Sequence, residues 1–334
     1  MKKFILFIGL MGITLTGCKF GTSSPDVNHV ELRVQPQAFF IDLFEIDETH
    51  LASDIDSLSA QYGSYLDAYS QQIINIGSPN HPQYPERLKH FLNYEENREV
   101  YAACKAQYGN TATLQDDLEE AFRHYKYYFP EATIPTVYLH TSYFNQSIAM
   151  DSSWLSVSVE KYLGADCIFY EWLAVPKYLR RKMSPEKMVP DVMKAMALGN
   201  FSFAMKNEDL ISNMLSQAKV LYFIKQMIPT INDTLLFDYS PDELRWCRKN
   251  EAAIWASMVE QKHLYNTERM LIQKYVGDSP FTYHLGQESP GRAAVFIAYK
   301  IIEAYLHEHP ELTLSDLIEQ RDAHAILLEA RYRP

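Results

Sequence analysis

Between Asp42 and Ile76, apolar residues recur at intervals of three and four positions, which is the spacing of one face of a helix. This apolar stripe consists of Leu51, Ile55, Leu58, Tyr62, Tyr65, Leu66, Tyr69 and Ile73. Similar patterns, bounded by prolines and capping residues, predict further helices along the chain. They are expected over residues 85–107, 113–129, 185–199, 209–227, 240–263 and 293–307, with a last short helix from residue 313.

Three short segments in the middle of the chain follow a strand pattern instead. Ile134–His140 is rich in β-branched and aromatic residues, Trp154–Val159 alternates, and Ser147–Met150 lies between them. A turn over residues 150–153 favours a small antiparallel sheet. Helices before and after this sheet predict one predominantly helical α+β domain over residues 36–334.

The chain begins with a basic start and an apolar run of about a dozen residues, the length of a signal-peptide core. A membrane-spanning helix needs about 20 apolar residues, so the run is too short to remain as an anchor. Leu15-Thr16-Gly17-Cys18 follows and resembles the lipobox of bacterial lipoproteins. The resemblance implies a signal peptide over residues 1–17 and a lipid on the Cys18 thiol. The alternative is an ordinary signal peptide with a chance cysteine.

Residues 18–35 contain the lipidated cysteine and a polar stretch that predicts a flexible tether. A diacylglycerol and an amide-linked acyl chain satisfy the two-chain requirement for stable membrane attachment. Cys18 is not followed directly by an acidic run, which in some lipoproteins resembles a signal for surface export. We therefore expect the lipid to hold the chain at the outer membrane, facing the periplasm.

Composition narrows the classes of partner. The 334-residue chain has a net charge of −11, which disfavours nucleic acid or an anionic membrane surface as a main partner. Hydrophobic residues make up 47% of the chain, which indicates a folded protein. Besides Cys18, the sequence contains Cys104, Cys167 and Cys247, without a CxxC pair. Free thiols or at most one disulfide are expected rather than a metal or redox site.

The motifs of common catalytic sites are missing from the sequence. It contains no Gly-x-Ser-x-Gly elbow, phosphate loop or dinucleotide fingerprint. None of its 11 histidines has another three or four positions away, so no helix presents two imidazoles to a metal on one face. His140, at the end of the first predicted strand, is one candidate site residue. Catalysis by two carboxylates that lie close together only in the folded chain remains an alternative. We expect no cofactor.

Several segments, in order along the chain, carry a family resemblance. They are Phe129–Val137, Trp154–Gly164, Leu173–Leu179, Ala218–Phe223, Asn250-Glu251 with Trp255 and Leu264-Tyr265, Asp278–Thr282, and Ser289–Arg292 with Tyr299–Tyr305. Together with the lipobox, this order resembles the GldB-type gliding-motility lipoproteins over most of the mature chain. The resemblance implies a lipid-anchored component of the envelope machinery linked to gliding and protein secretion.

That family in turn resembles zinc peptidases in which an HExxH helix and a later helix hold the metal. The resemblance implies a zincin-like fold, with Trp154–Val159 as the strand beside the cleft and residues 185–199 as the HExxH helix. This helix contains no histidine, and Gln217 takes the place of the later carboxylate ligand. An amide is a poor substitute for a carboxylate on zinc. We therefore expect the fold without the metal and without peptidase activity.

Two residues remain as candidates for contact with an anion or a peptide. Arg292 lies where residues 289–292 lead into a helix, and Gln217 is the second candidate. Arg292 alternatively pairs with an acid of the chain itself, and a peptide is expected to add a strand along Trp154–Val159. We predict a non-catalytic lipoprotein that binds envelope proteins or peptides. An envelope hydrolase with an atypical site and a periplasmic small-molecule binder are the alternatives.

Overall fold

A computed structural model describes residues 24–334, so the predicted signal peptide and Cys18 lie outside the described residues. The described part begins with helices α1 (Phe39–Phe44), α2 (Leu51–Tyr62), α3 (Ser64–Ala68), α4 (Tyr84–Asn93), α5 (Glu95–Tyr108) and α6 (Ala112–Tyr128). Strands β1 (Thr136–His140), β2 (Ile148–Met150) and β3 (Trp154–Ser158) follow. The rest is again helical: α7 (Ile168–Trp172), α8 (Lys177–Arg180), α9 (Met188–Asn200), α10 (Leu210–Met227), α11 (Asp233–Phe237), α12 (Pro241–Lys249), α13 (Glu251–Glu260), α14 (Arg269–Val276), α15 (Ala293–Glu308), α16 (Leu314–Glu319) and α17 (Ala323–Ala330). The predicted α+β class, dominated by helix, is confirmed.

The three strands form one small sheet in the order β1-β3-β2. β2 and β3 form the predicted antiparallel hairpin, with Ile148 opposite Val157. β1 runs parallel to β3, with Thr136 opposite Trp154. The sheet is therefore mixed, and the prediction of a purely antiparallel sheet is wrong. The reason is that the chain crosses from β1 to the far edge before the hairpin returns it to the centre.

The core lies between this sheet and the helices around it. Every residue of β3 is buried, as expected for a central strand covered on both faces. α10 and α15 pack against each other more extensively than any other pair of described helices. One cluster of buried apolar side chains extends from Val34 to Ala330. Burial of this apolar surface is the main stabilising contribution to the fold.

Several predicted helices are interrupted. The segment 42–76 breaks at Gly63, whose φ of 52° suits glycine, and it ends in a π-helix over Tyr69–Ile73. The segment 85–107 breaks at Tyr94, which has extended backbone angles, with φ −64° and ψ 124°. The segment 240–263 breaks at Asn250. At Tyr94 the break leaves the ring 46% exposed at the junction of α4 and α5.

The N-terminal segment packs on the fold before residue 36. Val27 and Val34 are buried, and the Val34 N–H donates to the Glu119 carboxylate at 3.2 Å. Gln37 then forms a parallel bridge with Tyr138, on the edge of β1 that faces away from β3. Within the segment 18–35, for which we expected a flexible tether, the described residues thus include two that contribute to the packed structure.

Candidate functional site

The segment 185–199, over which the resemblance to zinc peptidases would place an HExxH helix, carries an ion pair near its start. A short 3-10 helix over Pro185–Lys187 leads into α9. The Lys187 ammonium lies 2.5 Å from a carboxylate oxygen of Asp238 and donates to the Leu235 carbonyl at 2.9 Å. Asp238 follows α11 with a left-handed φ of 62°, which places its side chain against the start of α9.

Arg292 and Gln217 come together beside this pair. The Arg292 guanidinium donates to Asp238 at 3.3 Å and to the amide oxygen of Gln217 at 3.3 Å. Arg292 precedes α15 with a left-handed φ of 60°, and its side chain is 14% exposed. Of the two arrangements open for Arg292, the structure therefore shows the pairing with an acid of the chain itself. The oxygen of Gln217 is occupied by the same guanidinium.

Asp238 is the centre of this network. Burial alone raises the pKa of its carboxyl, but Lys187, Lys182 and Arg292 outweigh burial and hold the pKa below its usual value. Lys182 also contacts Asp278 at 2.6 Å, which lowers the pKa of that carboxyl against its own burial. Asp238 is therefore ionised at neutral pH and satisfied by three cations. The cluster joins the start of α9, the middle of α10, the end of α11 and the start of α15.

The sequence also pointed to His140 and to three cysteines besides Cys18. His140 is fully buried at the end of β1, where Nδ1 lies 2.5 Å from the Ser156 hydroxyl. Burial lowers its pKa to about 3, so the ring is neutral at physiological pH. Cys104, Cys167 and Cys247 are free thiols. The residues from 24 onward contain no group of three or more His, Cys, Asp or Glu that is arranged to hold a metal ion.

The expectation that a peptide adds a strand along Trp154–Val159 is wrong. β3 occupies the middle of the sheet and is hydrogen-bonded to β1 on one side and to β2 on the other. A strand whose two edges are already paired has no free N–H or C=O groups to offer a peptide. Strand addition along β3 is therefore excluded.

A groove lies beside the loop between β1 and β2. It measures about 760 Å³ and is bounded by α4, the start of α5, residues 74–76 and the loop between β1 and β2. The rings of Tyr94 and Tyr143 meet edge to face at one end, with centroids 6.2 Å apart. His90 stacks on Tyr94 at 6.4 Å. Aromatic walls with a few amide groups are typical of ligand sites, and the volume lies in the range of such sites.

An amide at the wall of the groove is left partly unpaired. Asn97 is 6% exposed, and its side-chain nitrogen donates to the Phe91 carbonyl at 2.7 Å. Its side-chain oxygen accepts no hydrogen bond from any residue in the described part of the chain. Buried amide oxygens are normally paired, and this oxygen, which is itself buried, is an exception.

The loop that carries Tyr143 is held in an unusual conformation. Tyr143 and Phe144 both have left-handed backbone angles, with φ of 53° and 63°, which is rare for bulky residues. A carboxylate oxygen of Glu160, which is fully buried, accepts hydrogen bonds from the Ser142 N–H at 2.7 Å and the Phe144 N–H at 3.1 Å. These bonds fix the loop and therefore the position of the Tyr143 ring. Such local strain persists where surrounding structure enforces it, often at binding sites.

The sequence indicated neither this groove nor its residues. Tyr94, Asn97 and Tyr143 come from separate segments, and no motif links them. The one local signal is the Glu-Glu run at residues 95–96, which favours a helix start through the helix dipole and thus the break at Tyr94. By contrast, Arg292 and Gln217 were both singled out, and the structure brings them into contact.

Comparison with known protein families assigns the chain to one of them. The chain matches the family described as gliding motility protein GldB over residues 21–334. No curated protein and no solved structure gave a significant match. From residue 24 onward no helix is long and apolar enough to cross a membrane. Because the match covers nearly the whole chain, the protein belongs to the GldB family of gliding-motility lipoproteins.

Proposed function

We propose that this protein is a lipid-anchored, non-catalytic envelope protein that binds other envelope proteins or peptides. The lipid on Cys18 holds it at the outer membrane, facing the periplasm, and the groove beside Tyr94 and Tyr143 is the binding site. Anchoring confines the groove near partners in the same envelope and raises their effective concentration.

The observation that carries this proposal is the fixed aromatic end of the groove. Glu160 holds Tyr143 in place through hydrogen bonds to the backbone of the two neighbouring residues, Ser142 and Phe144. The break between α4 and α5 places the Tyr94 ring against the Tyr143 ring. A ring that is already ordered loses little conformational entropy when a partner covers it. Exposed tyrosines in a preformed groove are characteristic of protein interfaces.

The network around Arg292 supports the non-catalytic part of the proposal. Gln217, where the resemblance to zinc peptidases would place a carboxylate ligand, accepts a hydrogen bond from Arg292. Lys187 and Arg292 both neutralise Asp238. These side chains therefore satisfy one another, and their arrangement connects four helices. We assign the network a structural role.

The experiment is a pulldown of the native lipoprotein from membranes. We expect the wild-type chain to recover a reproducible set of envelope proteins, and Cys18→Ser to lose both membrane attachment and most partners. Tyr143→Leu should lose partners while it stays at the membrane. Tyr127→Leu is the matched control, because Tyr127 is similarly exposed but lies on α6.

Two results would contradict the proposal. One is recovery of the same partners by the wild type and Tyr143→Leu, which would place the interface elsewhere. The other is hydrolysis of casein or of peptidoglycan peptides by the purified chain that is abolished by Arg292→Ala in a folded variant. That result would assign the Arg292 network to catalysis.

A further inference from the structure

A short apolar segment is exposed where α7 ends. Of the twelve large hydrophobic side chains that are exposed among residues 24–334, three lie within six consecutive positions: Ile168 is 49% exposed, Trp172 63% and Leu173 46%. Ile168 and Trp172 are four positions apart on α7 and therefore share a face of that helix. Single exposed apolar residues are common, whereas grouped ones are typical of surfaces that another molecule covers. We call these three residues the apolar tip.

The fold holds the apolar tip in one shape. The hydroxyl of Tyr170, a buried residue of α7, donates to the Glu160 carbonyl at 2.9 Å and accepts from the Leu163 N–H at 2.8 Å. After α7 the chain turns at Ala174, which has a left-handed φ of 50°, and the Val175 N–H donates back to the Tyr170 carbonyl at 2.9 Å. The exposed side chains are therefore presented by an ordered turn.

The charges around the apolar tip balance. The Glu171 carboxylate lies 3.9 Å from the Arg180 guanidinium, and Nε of Arg180 donates to the Val175 carbonyl at 2.7 Å. Asp166 and Lys177, which have opposite charges, are exposed on either side of the tip in sequence. The tip therefore does not select a strongly charged partner, and binding to it is driven by burial of apolar surface.

The apolar tip lies near the end of the described chain that leads to Cys18. Ser24, the first described residue, lines a cavity of about 590 Å³ together with Tyr108. The Tyr108 hydroxyl donates to the Tyr162 carbonyl at 2.5 Å, and the N–H of the next residue donates to α7. Cys18 precedes Ser24 by six positions, which span at most about 22 Å. A lipid on Cys18 would therefore hold this end of the fold close to the membrane.

We propose that the apolar tip inserts into the surface of the phospholipid bilayer to which Cys18 is anchored. This inference rests on the proposed lipid anchor and adds a second membrane contact, which fixes the orientation of the domain. Tryptophan is enriched at membrane–water interfaces, and the neighbouring leucine and isoleucine are stabilised when they leave water. The anchor favours the bilayer over a partner protein as the occupant, because it raises the effective concentration of the tip at the lipid surface.

The test uses the native lipoprotein reconstituted into vesicles of phosphatidylcholine, with and without bromine atoms on the acyl chains. Bromine quenches tryptophan fluorescence at short range and therefore reports a ring that lies in the bilayer surface. We expect brominated vesicles to reduce the fluorescence of the wild type, and Trp172→Phe to lose most of this quenching. Trp255→Phe is the matched control and should retain it, because Trp255 packs against the Tyr332 ring. The quenching should persist at about 1 M salt, where charges are screened beyond about 3 Å.

A second pair of variants tests the contact itself. Ile168→Ser combined with Leu173→Ser keeps Trp172 as the reporter and should lose most of the quenching. Leu198→Ser combined with Leu328→Ser is the control, since these two side chains are more exposed, at 55% and 79%, but lie on α9 and α17. It should leave the quenching unchanged. Melting temperatures close to that of the wild type establish that the variants are folded.

Flotation of the vesicles separates this inference from the proposed anchor. A wild-type chain that floats with the vesicles but is not quenched would overturn the membrane contact and leave the anchor in place. Equal quenching of the wild type and Trp172→Phe would also overturn it, because another tryptophan would then be responsible. If the wild type is not quenched and the Ile168, Leu173 variant recovers fewer envelope proteins from membranes, the tip binds protein instead of lipid. A chain that neither floats nor is quenched would overturn both proposals.

Discussion

The buried carboxylate of Glu160 accepts a hydrogen bond of 3.1 Å from the backbone N–H of Phe144, a residue with a left-handed φ of 63°. The same oxygen accepts from Ser142, at the start of the loop. One side chain, which directly follows the sheet in sequence, therefore determines the shape of a loop that precedes β2.

Replacement of Glu160 tests this relationship. Glu160→Ala leaves the N–H groups of Ser142 and Phe144 without their acceptor, and we expect a loss of about 2–4 kcal/mol in the free energy of unfolding. Glu160→Gln keeps an acceptor oxygen and should lose less. Urea unfolding measures both. Glu171→Ala, at a side chain that is 69% exposed, is the control and should change little. Equal losses for Ala and Gln at position 160 would exclude the proposed role of the acceptor.

The ion pairs of Asp238 predict a dependence of stability on pH. Its pKa is lowered in the folded chain, so its stabilising effect is fully present above the unfolded pKa of about 3.9 and is lost as pH falls through the folded value. The free energy of unfolding should therefore fall below about pH 4 in the wild type. Asp238→Asn should reduce stability by about 3–5 kcal/mol at pH 7, because cations remain buried without their partner.

In Asp238→Asn, the decrease in stability below about pH 4 should also be smaller than in the wild type. Asp242→Asn is the matched control, because its side chain is 82% exposed, and it should stay within about 0.5 kcal/mol of the wild type. An unchanged pH profile in Asp238→Asn would show that other acids, such as Asp278, account for the acid sensitivity.

Arg292 combines an ion pair with a left-handed backbone, and two substitutions separate these effects. Arg292→Ala and Arg292→Gly both remove the guanidinium, but only glycine adopts a φ of 60° without a steric penalty. We expect the glycine variant to be more stable by about 1 kcal/mol in urea unfolding. Arg331, with a φ of 48° and an exposed side chain, provides the same comparison at the surface. An alanine variant as stable as the glycine variant would contradict the assignment of strain at position 292.

Gly291 is required for close approach of two segments. A Cβ at this position would lie 2.0 Å from the Ser279 carbonyl oxygen, so backbone must move to admit alanine. Gly291→Ala should therefore lower stability by about 1–3 kcal/mol or more. At Gly286 the added methyl meets open space, although φ is 87°, and Gly286→Ala should lose only about 1 kcal/mol. Thermal unfolding measures both, and the reverse order would refute the explanation.

The elements with a strong local signal were predictable from the sequence. α12 begins after Ser240 as expected, where Ser240 and Glu243 form a capping box, and the three strands lie within a few residues of their predicted ranges. The direction of β1 relative to β3 was not predictable, because strand pairing depends on the path of the loop at residues 141–147. The helix breaks at Tyr94 and Asn250 were missed since neither has a glycine or proline to indicate it.

The groove could not be predicted from the sequence, because it too depends on how distant segments pack. Its aromatic end joins Tyr94, whose position depends on a helix break, with Tyr143, whose left-handed backbone depends on Glu160. Aromatic residues rarely adopt that conformation, so no local preference predicts it. The contact of Arg292 with Gln217 was more accessible, because the family resemblance had drawn attention to both residues.

The burial of Val27 and Val34 has a mechanical consequence. If Cys18 carries the proposed lipid, tension between membrane and protein would enter the described part of the fold at these two side chains. It would then pass to Gln37, which forms two backbone hydrogen bonds of 2.8 Å with Val137 and Leu139 on β1. The load therefore reaches the sheet, and the loop that presents Tyr143 leaves that sheet directly after β1. Tension on the lipid anchor and the binding of a partner at Tyr143 would therefore both act on strand β1.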